Sequence, residues 1–287
     1  MMKIGAMVES FRLGFRGGVE KAASLGVSGI QAFATDGELA PEKMTAEKIR
    51  ETLDIVKSNG VVFSAICGDF GYGFNDAEKN RYYIDKSKRV LDLSLELGCG
   101  IVTTHIGHIA EESDPSKIEV MREACRELAE YADSVGASFA IETGSDRGCV
   151  LAQFLESLGA GGVKVNFDPA NLVMCQDERP EEALKYLGKY IVHTHAKDGI
   201  MLKKSVEGKL ELDDEAKKHA AMMEMGKKYL ELPLGKGGVD FDVYLPALKA
   251  TGFDGFLTIE REVGEDPIAD ISMAVEFLRD KIAKLGL

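Results

Sequence analysis

The sequence predicts a single closed (β/α)8 barrel of the TIM type spanning residues 1–287, and three observations carry that expectation. Apolar strand-like runs alternate with amphipathic helical patterns along the whole chain. Seven of the helical patterns close on a glycine that is followed directly by an apolar run, at Gly26, Gly60, Gly98, Gly136, Gly159, Gly188 and Gly252. No linker or break in composition divides the chain.

In chain order, "KIGAMV" opens as the first strand. Seven helix-to-strand junctions follow: "SLGVSGIQAF", "SNGVVFSAI", "ELGCGIVTTH", "SVGASFAIE", "LGAGGVKVNF", "YLGKYIVHTH" and "ATGFDGFLTIE". Glycine suits the residue after a helix because the left-handed conformation costs it little. Strands that alternate with helices pair in parallel through crossovers, and eight such units over this length suit closure better than a doubly wound open sheet. "IGAMVESFRLG" lacks the G-x-G-x-x-G spacing of a dinucleotide site, and neither a Walker motif nor a G-x-S-x-G elbow occurs.

One interval is long. Between Gly188 and Gly252 the excess residues place an insertion after strand seven, at about 201–233. Residues 213–230 read as a helix, with Asp213, Asp214 and Glu215 at its start and Lys227 and Lys228 at its end, the charge order that a helix dipole favours. Met222, Met223 and Met225 read as packing. Because βα loops surround the mouth of such a barrel, the insertion is expected to serve as a lid or an oligomer contact, which leaves room for a homo-oligomer.

Composition excludes several classes. A net charge of −13 argues against a surface built for nucleic acid. The five cysteines form no C-x-x-C pair, so neither a disulfide framework nor a zinc knuckle is expected, and a reducing cytoplasm is the simplest compartment. No apolar run reaches the roughly 18 residues that a membrane span needs, and the first residues do not resemble a signal peptide.

The predicted strands five to eight end alike. "SFAIETG" closes on Glu142, "KVNFDPANL" on Asp168, "YIVHTHAKD" on His195 and "GFLTIERE" on Glu260. A single carboxylate there reads as a helix cap. Three, with an imidazole, on adjacent parts of one rim would repel one another unless a cation neutralised them. One divalent ion is therefore expected on Glu142, Asp168, His195 and Glu260. The oxygen-rich set favours Mn2+, with Mg2+, Co2+ or Zn2+ as alternatives.

Neighbouring positions are ranked by strand parity. His193 shares the face of His195 one layer deeper and reads as a buried residue that orients a ligand. Lys197 and His105 point to the mouth as candidates for substrate binding, with a solvated lysine the alternative at Lys197 and a metal ligand the alternative at His105. His108 lies beyond strand four and is weaker. His219 reads as exposed and Glu262 as a surface residue. Cys67, with Asp69 two residues on, reads as packing rather than as a nucleophile.

"IETG", "NFDPANL", "VHTHAKD", "LPLGKGGVDF" and "GFLTIERE", in this order, resemble the xylose isomerase-like barrel superfamily of sugar isomerases and epimerases, related to endonuclease IV and the AP endonuclease family 2. The resemblance implies that the positions of Glu142, Asp168, His195 and Glu260 bind one Mn2+-like ion. It also implies that Glu142 and Glu260 form the catalytic acid/base pair. At the position where the relatives place a zinc-binding or sugar-contacting histidine, this chain has Asn171, here taken as substrate-binding; where the epimerases place an arginine, it has Met201.

The expected activity is metal-dependent isomerisation or epimerisation of a sugar or sugar phosphate, by proton abstraction next to a carbonyl through an enediolate. The partner is thus a small carbohydrate. A metal-dependent lyase acting on an oxidised glycoside and a non-catalytic sugar-binding protein stay open as alternatives.

Overall fold

A computed structural model describes residues 1–109, 114–207 and 213–287. Its strands are β1 (Lys3–Met7), β2 (Gly29–Phe33), β3 (Val62–Cys67), β4 (Ile101–Thr104), β5 (Ser138–Glu142), β6 (Val163–Phe167), β7 (Ile191–Ala196), β8 (Asp198–Met201), β9 (Tyr229–Leu232) and β10 (Phe256–Ile259). The helices are α1 (Gly14–Ser24), α2 (Ala46–Ser58), α3 (Ala77–Glu96), α4 (Pro115–Val135), α5 (Gly148–Leu158), α6 (Pro169–Gln176), α7 (Pro180–Leu187), α8 (Leu202–Val206), α9 (Asp214–Glu224), α10 (Phe241–Ala250) and α11 (Pro267–Leu285).

Strands β1 to β7 and β10 close into one parallel barrel in which β10 sits between β7 and β1. The chain is therefore a single (β/α)8 barrel. Period-two alternation divides each strand between two environments. Phe139 and Ile141 of β5, Val165 and Phe167 of β6, and Leu257 and Ile259 of β10 join the apolar core, where helix residues such as Leu91, Leu128 and Leu278 are also fully buried. The opposite parity carries Gln31, Asn166, His193, His195 and Thr258, all buried and polar. Where β2 meets β3 the register shifts between Ile30 and Gln31, and Ser64 of the opposed strand donates to the Ile30 carbonyl.

Helix starts are fixed by short polar caps. Asp76, Asp114, Asp168, Asp240 and Asp266 each accept hydrogen bonds from backbone N–H groups of the first turn, which otherwise lack partners. Six of the seven punctuating glycines take positive φ. Gly188 does not. Its φ is −51°, and a Cβ there would lie 2.7 Å from Thr251 Cγ2, so close packing rather than left-handed geometry calls for glycine.

Between β7 and β10 the chain makes an excursion that the helical reading of 213–230 only partly anticipated. Helix α9 stops at Glu224, Gly226 turns the chain at φ 83°, and 229–232 form a strand. The reason is non-local: β8 leaves the barrel with an unpaired edge, and β9 pairs with it antiparallel, Asp198 opposite Leu232 and Met201 opposite Tyr229. Residues 208–212 of the predicted insertion lie outside the described residues. Asp198 anchors the return, because its carboxylate accepts from the N–H groups of Gly199, Gly235, Gly237 and Val239. Gly237 comes so close that a Cβ would lie 2.1 Å from Asp198 Oδ1. Arg261 pairs with Glu231 of β9 and Asp270 of α11, which ties the excursion to the barrel wall. Among the described residues no helix is long and apolar enough to cross a membrane.

Candidate metal centre

Four side chains converge where β5, β6, β7 and β10 end. Glu142 is the last residue of β5, Asp168 and Glu260 each follow a strand end, and His195 is the penultimate residue of β7. One potential ligand atom from each lies within 4.8 Å of all the others. His195 Nδ1 is 3.4 Å from Glu142 Oε1, 3.5 Å from Asp168 Oδ2 and 3.4 Å from Glu260 Oε2. Donors about 2.1 Å from a shared divalent ion would stand about 3 to 3.5 Å apart, so the spacing suits one ion at the centre.

Hydrogen bonding within the protein leaves one atom each of Asp168 and His195 without a partner. Asp168 spends Oδ1 on the N–H groups of Ala170 and Asn171, capping α6, while the buried Oδ2 has no partner. The carboxylate therefore caps a helix with one oxygen and offers the other to the centre. His195 is divided in the same way. Its Nε2–H donates to Gln31 Oε1 at 3.1 Å, and the buried Nδ1 is left without a partner, facing three carboxylates. Gln31 is held in turn by its own Nε2 donating to Thr103 Oγ1 at 3.0 Å. Two buried, aligned and unsatisfied donor atoms are costly in an apolar interior, and a divalent ion would satisfy both.

A chain of polar groups below the centre sets Glu142. His193 Nδ1–H donates to Asn166 Oδ1 at 2.9 Å, while His193 Nε2 accepts from Thr258 Oγ1 at 3.0 Å. With its oxygen so engaged, Asn166 points its amide N–H at Glu142 Oε2, 3.1 Å away. Burial, with His195 adjacent, pushes the His193 pKa well below the ordinary histidine value and keeps the ring neutral. Asn171 donates to the other oxygen, Glu142 Oε1, at 2.9 Å.

Charge dominates the opposite side. Lys197 is only 4% exposed and ion-pairs with Glu260 Oε2 at 2.8 Å and with Glu262. Burial alone would raise the Glu260 pKa, but the neighbouring His195 and Lys197 overcome it and hold the carboxyl well below its usual range. Burial likewise disfavours charge on His195 and Lys197, and the facing carboxylates raise both above their ordinary values.

The sequence fits the family description "xylose isomerase-like TIM barrel" over residues 19–281. The chain belongs to the xylose isomerase-like TIM barrel family. Among solved structures it is similar to a xylose isomerase domain protein from Planctomyces limnophilus, at 25% identity and a TM-score of 0.78 over 99% of this chain and 98% of that one. It is similar to the probable 3-DHS dehydratase AsbF from Bacillus anthracis, at 18% identity and a TM-score of 0.75 over 97% and 99%. It is also similar to D-psicose 3-epimerase from Clostridium cellulolyticum H10, solved with D-tagatose, at 16% identity and a TM-score of 0.71 over 98% and 99%. No curated protein matches the sequence.

In this member of the family a cavity of about 860 Å3 reaches Glu142 and Glu260 of the centre and is lined also by His105, Asn171, Lys197 and Met201, among others. His105 is 40% exposed, with Nδ1 2.8 Å from Asp69 Oδ2 and Nε2 3.9 Å from Glu142 Oε1. Burial opposes its charge, but Glu142 and Asp69 raise its pKa to about 9. His108 sits further out, 3.8 Å from Asp146. Burial pushes the Cys67 thiol far up, so no thiolate forms there at neutral pH.

Two readings change. His219 is buried, its Nδ1 2.9 Å from Ser205 Oγ, because α9 packs that face on α8. Met225 is 78% exposed and Met223 lines the cavity, so the methionines are not uniformly packing. Glu262, although largely exposed, pairs with Lys197. The sequence reading missed Gln31, Asn166 and the partnership of Asp69 with His105. Its one available signal was a lone amide within each of the apolar strands "GIQAF" and "VKVNF".

Proposed function

We propose that the protein is a metal-dependent isomerase or epimerase of a sugar or sugar phosphate that removes a proton next to a carbonyl. The observation that carries this reading is the pair of unsatisfied buried atoms, Asp168 Oδ2 and His195 Nδ1, converging with Glu142 and Glu260 beneath an open cavity. In this reading Glu142, Asp168, His195 and Glu260 hold one divalent ion, with Mn2+ the expected choice and Mg2+, Co2+ or Zn2+ alternatives. When bound, such an ion polarises a carbonyl and the adjacent hydroxyl and so stabilises the enediolate left when the C–H proton departs.

Glu142 and Glu260 act as the acid/base pair. Asn166 and Asn171 fix the Glu142 carboxylate from below and from the side, and Lys197 fixes Glu260. His105, Asn171 and Lys197 contact the substrate hydroxyls. Epimerisation needs one carboxylate to take the proton and the other to return one on the opposite face; isomerisation returns it to the neighbouring carbon. The epimerase likeness supports this chemistry on this fold.

β-Elimination is the second reading. His105, oriented by Asp69 and facing Glu142, places an N–H donor where a departing hydroxyl would need a proton, and the dehydratase likeness shows a protein of that title on the same fold.

The test is proton NMR in D2O with the Mn2+-loaded protein and a panel of free and phosphorylated ketoses and aldoses. Chelator-sensitive loss of a C–H signal is expected, slowed by about 10²-fold or more in Glu142→Gln. Exchange at the wild-type rate in Glu142→Gln would remove Glu142 from the base role. Formation of an unsaturated product without exchange into a recoverable sugar would decide for elimination.

A further inference from the structure

Lys203, Lys227 and Lys228 line the cavity from the excursion, together with Met223 and Tyr229. They come from separate places: Lys203 from α8, and the other two from the turn that joins α9 to β9. That turn is anchored, since Lys227 N–H donates to the Met222 carbonyl and the Lys228 carbonyl accepts from Leu202 N–H. The neighbouring Lys204 behaves as a surface lysine, paired with Asp177 and Glu207. Among the described residues, no carboxylate pairs with Lys203, Lys227 or Lys228.

The charge balance of the pocket therefore differs from that of the molecule. The charge of Lys197 is balanced by Glu260 and Glu262. Four carboxylates, Glu142, Asp168, Glu260 and Glu262, are matched by four lysines once Lys203, Lys227 and Lys228 are included, and a divalent ion would leave the pocket net positive. The whole chain carries −13. Lysines without carboxylate partners at one end of a concave site on an otherwise acidic molecule attract the anionic end of a ligand.

From this we infer that the substrate is an anion: a small polyhydroxy compound whose carbonyl end faces the metal centre and whose other end carries a phosphate or carboxylate held by Lys203, Lys227 and Lys228. The inference rests on the metal-centre reading above for the carbonyl end. The anionic end rests on the lysines alone.

The test uses compounds that cannot enolise, so its outcome is independent of whether the protein catalyses exchange. Binding of D-glucitol, D-glucitol 6-phosphate and D-gluconate to the Mn2+-loaded protein is measured by calorimetry at low and high salt. At least one anion is expected to bind about tenfold or more tightly than glucitol at low salt, with the preference shrinking at high salt. In the triple variant K203Q/K227Q/K228Q the preference should fall to within about twofold. These are exposed side chains, and an unchanged thermal midpoint checks the fold. A stronger phosphate response identifies a phosphorylated substrate; a stronger carboxylate response identifies a sugar acid. Equal binding of all three probes, no binding of any, or a preference that survives in the triple variant would overturn the inference. Anion preference without C–H exchange on any substrate would leave this inference standing and remove the enolisation reading.

Discussion

Replacing Gln31 by methionine tests whether the barrel interior sets the tautomer of His195. Gln31 is fully buried, accepts from His195 Nε2–H at 3.1 Å and is held by Thr103 at 3.0 Å. Methionine fills a similar volume but accepts no comparable hydrogen bond, so the imidazole loses the group that directs its Nδ1 lone pair towards Glu142, Asp168 and Glu260. Loss of such a supporting bond costs about 10- to 100-fold in metal affinity, or about 1.4 to 2.7 kcal/mol. The His195 N–H left unpaired in the interior costs a further ~1–3 kcal/mol of stability. The assay is Mn2+ titration followed by electron paramagnetic resonance in competition with a chelator, with urea unfolding of the metal-free protein alongside. Gln31→Glu keeps an acceptor and should hold affinity at or above the wild-type level. Affinity in Gln31→Met within about threefold of wild type would refute the reasoning, because Nδ1 would then be oriented without Gln31.

Two further outcomes follow from charged groups. Glu231→Leu leaves the Arg261 guanidinium, 2.6 Å from Glu231 in a buried pair, with Asp270 alone, and should lower stability by about 3 kcal/mol in urea unfolding. A loss under about 0.5 kcal/mol would show that solvent replaces the pair. His105, raised to about 9 from an unfolded value near 6.5, stabilises the metal-free protein fully below about pH 6.5, and that contribution is lost as the pH rises through about 9. At a side chain 40% exposed the contribution is on the order of 1 kcal/mol. The urea midpoint of wild type relative to His105→Gln should therefore fall between pH 6 and 10; a constant difference would separate His105 from Asp69 and Glu142 in energetic terms.

The sequence by itself determined the eight strands of the barrel and the residues at their ends. Both are local properties: each helix carries its own cap and stop, and alternation along a strand assigns each side chain to a face. Glu142, Asp168, His195 and Glu260 stand out because an apolar strand that ends on a charge is visible in a few residues.

Tertiary structure decided what those residues face. Closure of the barrel brings Gln31 of β2 against His195 of β7 and Asp69 beside His105, pairs far apart in sequence whose residue types carry no mark of each other. It also decided that Lys197 is buried between two carboxylates rather than solvated, and that residues 229–232 form a strand, because only the folded chain presents the β8 edge that they pair with. Hydrogen-bond partners and burial are set by elements packed from distant parts of the chain, whereas periodicity and capping are set within a turn or two.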